Sequence, residues 1–83
     1  MATKGLIIYC VNGDGEPSAY FGRQQDAMKD AQHRSESCDE PVTVERCVTA
    51  PITKEIVVRL ASGGGRFIDQ AETIASFVRG KRQ

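Results

Sequence analysis

The chain has no tryptophan, a single histidine (His33), and only three cysteines, Cys10, Cys38 and Cys47, among its 83 residues. Hydrolytic, redox and metal sites need several reactive groups converging on one point. Few are present to converge, so a non-enzymatic role without cofactor or metal is expected. Net charge is also missing: eleven basic side chains balance eleven acidic ones. A general nucleic-acid binder usually carries a net basic surface, and a DNA mimic would need a strong acidic excess; neutrality argues against both. No apolar run approaches the ~20 residues that cross a bilayer. The N-terminus, Met1-Ala2-Thr3-Lys4, turns directly into a strand-like run, so no signal peptide and no membrane partner are expected. An odd cysteine count at spacings that match no disulfide scaffold points to a reducing cytoplasm.

What is present suits one small folded domain spanning residues 1–83. The apolar fraction, 40%, is enough for a core and too high for a disordered chain. A domain of this size buries roughly 60–65% of the surface its unfolded chain exposes, so its stability is modest. Docking a second copy would bury more apolar area, which makes a homodimer a natural expectation. The neutral total hides an asymmetry. Residues 1–41 hold four basic and seven acidic side chains, and residues 42–83 hold seven basic and four acidic. The acidic knot is Glu36, Asp39 and Glu40; the basic knot is Arg79, Lys81 and Arg82.

Along the chain, residues 5–11 form an apolar run rich in β-formers. Ile7, Tyr9 and Val11 share one face, and Leu6, Ile8 and Cys10 the other. A strand apolar on both faces is central in its sheet or covered by a partner. Asn12-Gly13-Asp14-Gly15 is a turn signal, and residues 18–21 suit a short returning strand. Residues 23–36 read as a helix with Ala27, Met28 and Ala31 as a narrow apolar stripe. Residues 42–49 alternate as a strand. Residues 54–61 are ambiguous. Three consecutive β-branched residues favour a strand, whereas Ile52, Ile56 and Leu60 at four-residue spacing, with Gly63 as a cap and Glu55 paired to Arg59, would suit a helix. Asp69 and Glu72 have capping-box-like spacing. Ala71, Ile74, Ala75 and Val78 then follow a helical pattern that Gly80 stops, with a strand over 72–78 as the alternative.

The candidate chemical sites each lack a required part. His33, Cys38, Cys47 and Asp39 could supply zinc ligands, but no tight Cys-x-x-Cys pairing is present. Cys38 sits among Glu36, Asp39 and Glu40, which oppose a thiolate. Gly63-Gly64-Gly65-Arg66 lacks the lysine and hydroxyl of a P-loop, and residues 12–16 lack the distal glutamate of a calcium loop. Arg66, Arg79, Lys81 and Arg82 could touch phosphates, yet only Tyr9 and Phe67 offer bases a stacking surface.

In its size, its one compact α+β domain and its missing catalytic residues, the chain resembles the very small proteins of phages and mobile elements. Among them it is similar in build to anti-CRISPR proteins. That resemblance implies stoichiometric binding to a host effector complex, blocking target-DNA recognition or nuclease recruitment. The neutral charge departs from the acidic members that mimic DNA and leaves surface occlusion as the implied mechanism.

The resulting expectation is an α+β fold with a small antiparallel sheet of three or four strands and two helices. The expected order is β-α-β-β-α, with β-β-α-β-α-β as the alternative. The expected core is Leu6, Ile8, Met28, Val44, Val48, Ile56, Val58, Leu60, Ile74 and Val78. The expected function is inhibition or modulation of a larger protein assembly, with a small nucleic-acid-binding regulator as the alternative. The expected partner-binding residues are Glu36, Asp39, Glu40, Arg66, Arg79, Lys81 and Arg82.

Overall fold

A computed structural model describes residues 5–13, 15, 17–63 and 67–83. The elements run β1 (Ile7–Asn12), β2 (Ala19–Phe21), α1 (Gln24–Ser35), β3 (Val42–Thr49), α2 (Lys54–Ala61), β4 (Ile68–Val78) and β5 (Lys81–Arg82). The fold is α+β, with one five-stranded sheet ordered β2-β1-β3-β4-β5 in which every neighbouring pair is antiparallel. The short returning strand, the first helix and the 42–49 strand fall where the sequence placed them.

Two segments depart from the preferred expectation, and the sheet has five strands rather than three or four. Residues 54–61 are helix α2, because the local caps outweigh the β-branched run. The Thr53 hydroxyl accepts a hydrogen bond from the Ile56 amide at 3.3 Å, and the Gly63 amide closes the far end on the Leu60 carbonyl at 3.1 Å. The pairing of Glu55 with Arg59 does not form. Residues 68–78 are strand β4 rather than a helix. The register slips between Val44 and Glu45, leaving Ile74 without a partner between the pairs Glu45–Thr73 and Val44–Ala75. A bulge of this kind moves the side chains beyond it to the opposite face. It therefore breaks the two-residue alternation and produces spacings that read as helical. The order is thus β-β-α-β-α-β with a fifth strand appended, the alternative extended by one hairpin.

Helix α1 covers one face of the sheet. Its buried stripe is Ala27, Ala31 and Ser35, one residue per turn on the same side. Alanines let the helix come close to Val11, Val42, Val44, Ala75 and Phe77, which form the core with them. Tyr9, Phe21, Met28 and Ile74 pack around this centre. Of the expected core, Val44 is buried, and Met28 and Ile74 pack against the centre, but Leu6, Val58 and Leu60 are exposed. Ile8, Val48, Ile56 and Val78 are half-buried. The difference follows from which face of β1 points inward: Val11 does, and Leu6 and Ile8 lie on the other side.

That other face has no helix on it. Its cross-strand rows are Tyr20–Cys10–Glu45–Thr73 and Ile8–Cys47–Ala71. Tyr20 and Phe67 lean together above it, ring centroids 6.1 Å apart. Helix α2 does not cover this face either. It comes within 8 Å, Cα to Cα, of no strand and of no other helix.

Candidate interaction surfaces

The two charge knots of the sequence meet at one end of the molecule. Strands β4 and β5 are joined by the two-residue turn Arg79-Gly80, with Val78 paired to Lys81. Both turn residues have positive φ, 51° at Arg79 and 80° at Gly80, as the twist of a tight hairpin demands. Gly80 adopts this freely. Arginine does not: a left-handed conformation crowds its Cβ and costs about 1–2 kcal/mol.

The turn is bolted to the end of α1. The Gly80 amide donates to Ser35 Oγ at 2.9 Å, and Ser35 Oγ donates to the Gln32 carbonyl at 2.8 Å. Gln32 Nε2 donates to the Gly80 carbonyl at 3.1 Å. The buried serine is thereby satisfied, and the loop following α1 is held beside the hairpin. Across the gap, Arg79 Nε and Nη2 both donate to Asp39 Oδ1, at 3.1 and 2.8 Å. Glu36 lies against Gly80, where an added β-carbon would stand 3.2 Å from its Cγ. Glu40 continues the same exposed loop, and Lys81 and Arg82 form the exposed edge strand.

Six of the seven expected contact residues therefore belong to two segments that meet, the 36–40 loop and the 79–82 hairpin. Arg66 lies outside the described residues. Separation of charge in the sequence becomes mixed charge in space, and Arg79 is neutralised by Asp39. Replacing Arg79 by asparagine, which tolerates positive φ, should change stability by no more than about 1 kcal/mol, because relief of backbone strain offsets loss of an exposed ion pair. Urea denaturation of Arg79→Asn measures this directly.

The groups considered for metal or thiol chemistry are dispersed. Among the described residues no three of His, Cys, Asp and Glu come together as a metal site. His33 is exposed on α1, 3.8 Å from Glu36. Cys38 packs against the edge of the core, and Cys10 and Cys47 are buried on the uncovered sheet face. Burial pushes the Cys47 thiol above its ordinary range, with the neighbouring Cys10 and Glu45 adding to the effect. A raised thiol pKa disfavours the thiolate a nucleophile needs. Tyr20 is likewise pushed up, chiefly by Cys10. A hollow of about 220 Å³ lined by Arg46, Val48, Gln70, Ala71 and Glu72 is smaller than most small-molecule sites, which start near 300 Å³, and one of about 340 Å³ beside Lys54, Glu55, Val58 and Arg59 lies along the exposed helix α2.

The chain matches no known protein family, and no curated protein or solved structure is significantly similar to it. No relative's function can be transferred, so the functional reading rests on surfaces. Among the described residues no helix is long and apolar enough to cross a membrane.

Sequence reasoning gave no weight to a second surface. Ile52, Val57, Val58 and Leu60, on α2 and its approach, are 39%, 52%, 55% and 41% exposed. No residue of α2 is buried. The signal was present in the spacing of Ile52, Ile56 and Leu60. Read as a strand, Ile56, Val58 and Leu60 were assigned to the core; on the free helix Val58 and Leu60 face water and Ile56 is half-buried.

Proposed function

We propose that this chain is a non-enzymatic binding protein that inhibits or modulates a larger protein assembly by occluding part of its surface. One observation carries the reading: Arg79 is held at positive φ, where glycine or asparagine would sit at lower cost, and there it clamps Asp39. Strained residues persist only where the surrounding structure holds them, and they cluster at functional sites. Here the side chain adds an exposed ion pair to the Ser35–Gly80–Gln32 hydrogen bonds that already hold the 36–40 loop beside the 79–82 hairpin, so that Glu36, Glu40, Lys81 and Arg82 lie on two adjoining segments. Ordering a patch before contact lowers the entropy lost on binding. An acidic loop lying against a basic hairpin suits a protein surface, whereas a polyanion would favour uninterrupted positive charge.

The resemblance in size and build to anti-CRISPR proteins supports a bacterial CRISPR-Cas effector complex as the first assembly to test. Target-DNA cleavage by purified effector complexes should fall in proportion to added protein and reach completion near one equivalent per binding site. Arg79→Asn should weaken inhibition at least tenfold while leaving the fold intact. Complete inhibition at a small fraction of an equivalent would overturn the non-enzymatic reading, and an Arg79→Asn variant of full potency would overturn the assigned surface.

A further inference from the structure

We infer that two copies of this chain associate through α2, each helix laying its apolar side on the uncovered sheet face of the other copy. This goes beyond the proposed function, because it uses neither the 36–40 loop nor the 79–82 hairpin. Both halves of the contact are on the same chain. One is α2, which has no packing partner among the described elements. The other is the sheet face opposite α1, where Leu6 and Tyr20 are 57% and 52% exposed beside half-buried Ile8. A twofold pair satisfies both surfaces twice, since each patch meets the other across the axis.

Area supports a second copy. The chain exposes 5902 Å². A compact monomer of 9.1 kDa would expose about 4,900 Å². The excess, about 1,000 Å², approximates the ~800 Å² that each partner contributes to a standard stable interface. The radius of gyration says the same: 14.3 Å, against about 12 Å for a compact domain of this length. Charge also fits. Glu45 lies half-buried in the middle of the uncovered face and forms no ion pair among the described residues. The polar edge of α2 carries two cations, Lys54 and Arg59, against one carboxylate, Glu55, all exposed, so it is net basic.

The test is the solution mass, by light scattering coupled to gel filtration, followed by isotope-filtered NMR on mixed labelled and unlabelled chains. The wild type should have twice the 9.1 kDa of one chain. Intermolecular contacts should join Val57, Val58 or Leu60 to Ile8, Tyr20 or Ala71. Val57→Glu places a charge on a side chain already in solvent within one copy, so the monomer fold survives. The charge would be buried in the dimer, and the dimer dissociation constant should rise at least a hundredfold. A 9.1 kDa wild type at NMR concentration would overturn the inference. So would a dimer unaffected by Val57→Glu, or α2 contacts only within one chain. Inhibition of an effector complex can fail in every one of these cases or succeed in every one, so the two proposals stand or fall separately.

Discussion

Phe77→Ala should cost about 3–5 kcal/mol of stability, the usual loss for a buried aromatic truncated to alanine. Phe77 is only 6% exposed and is the largest side chain of the central cluster. It pairs across the ladder with Val42, which is wholly buried, and fills the space between β4 and α1. The helix stripe opposite consists of Ala27, Ala31 and Ser35, none of which can extend to fill a void. A chain of this length has a total stability of about 4–12 kcal/mol, so the variant would stand near its folding threshold. Urea denaturation should show a lower midpoint with an unchanged slope, as expected when stability alone changes. A loss under about 1 kcal/mol would mean that the cluster around Phe77 is not the core.

Gly13→Ala should cost about 3 kcal/mol, through strain rather than lost packing. Gly13 has φ of 127°, a conformation that L-residues rarely adopt. Space is also lacking. An added β-carbon would lie 2.7 Å from the Pro41 carbonyl oxygen and 2.9 Å from Val42 Cα, both backbone atoms that cannot swing aside. Relief would require the end of β1 to move away from the start of β3, where Asn12 pairs with Thr43. Just before it, Asn12 Oδ1 accepts from the Ser18 hydroxyl, which ties the turn to the approach of β2. Thermal denaturation of Gly13→Ala beside Gly15→Ala checks the argument. Gly15 also has positive φ but nothing within 4 Å of an added β-carbon, so its variant should lose distinctly less.

Local signals identified much of this fold. The alternation of Val42, Val44 and Val48, the alanine stripe of α1 and the turn at Gly13 each depend on neighbours within a few residues, and each was legible. Helix α2 was harder, because its β-branched centre and its Thr53 cap give opposite advice. Strand β4 was hardest. Its assignment depends on pairing with β3, a contact between distant segments, and the bulge at Ile74 disguises its period. The core followed from these choices: once residues 54–61 leave the sheet, Ile56, Val58 and Leu60 leave the interior with them.

The candidate surface was legible in composition and illegible in arrangement. Glu36, Asp39, Glu40, Arg79, Lys81 and Arg82 could be named as two knots of opposite sign. That Asp39 and Arg79 would meet at 2.8 Å depends on the β4–β5 hairpin reaching the end of α1. No spacing along the chain records that meeting. The meeting weakens the case for a nucleic-acid partner, since it neutralises a cation that would otherwise be available to phosphate. It strengthens the case for a protein partner, since it orders the patch.

The most direct measurement is the native mass of the tagged chain recovered from its host's lysate, repeated across a salt series. A protein complex of defined stoichiometry, weakening only gradually as salt rises and lost in Arg79→Asn, is the result this account predicts. Recovery of nucleic acid alone, with affinity falling about a thousandfold or more between roughly 50 and 200 mM salt, would contradict it.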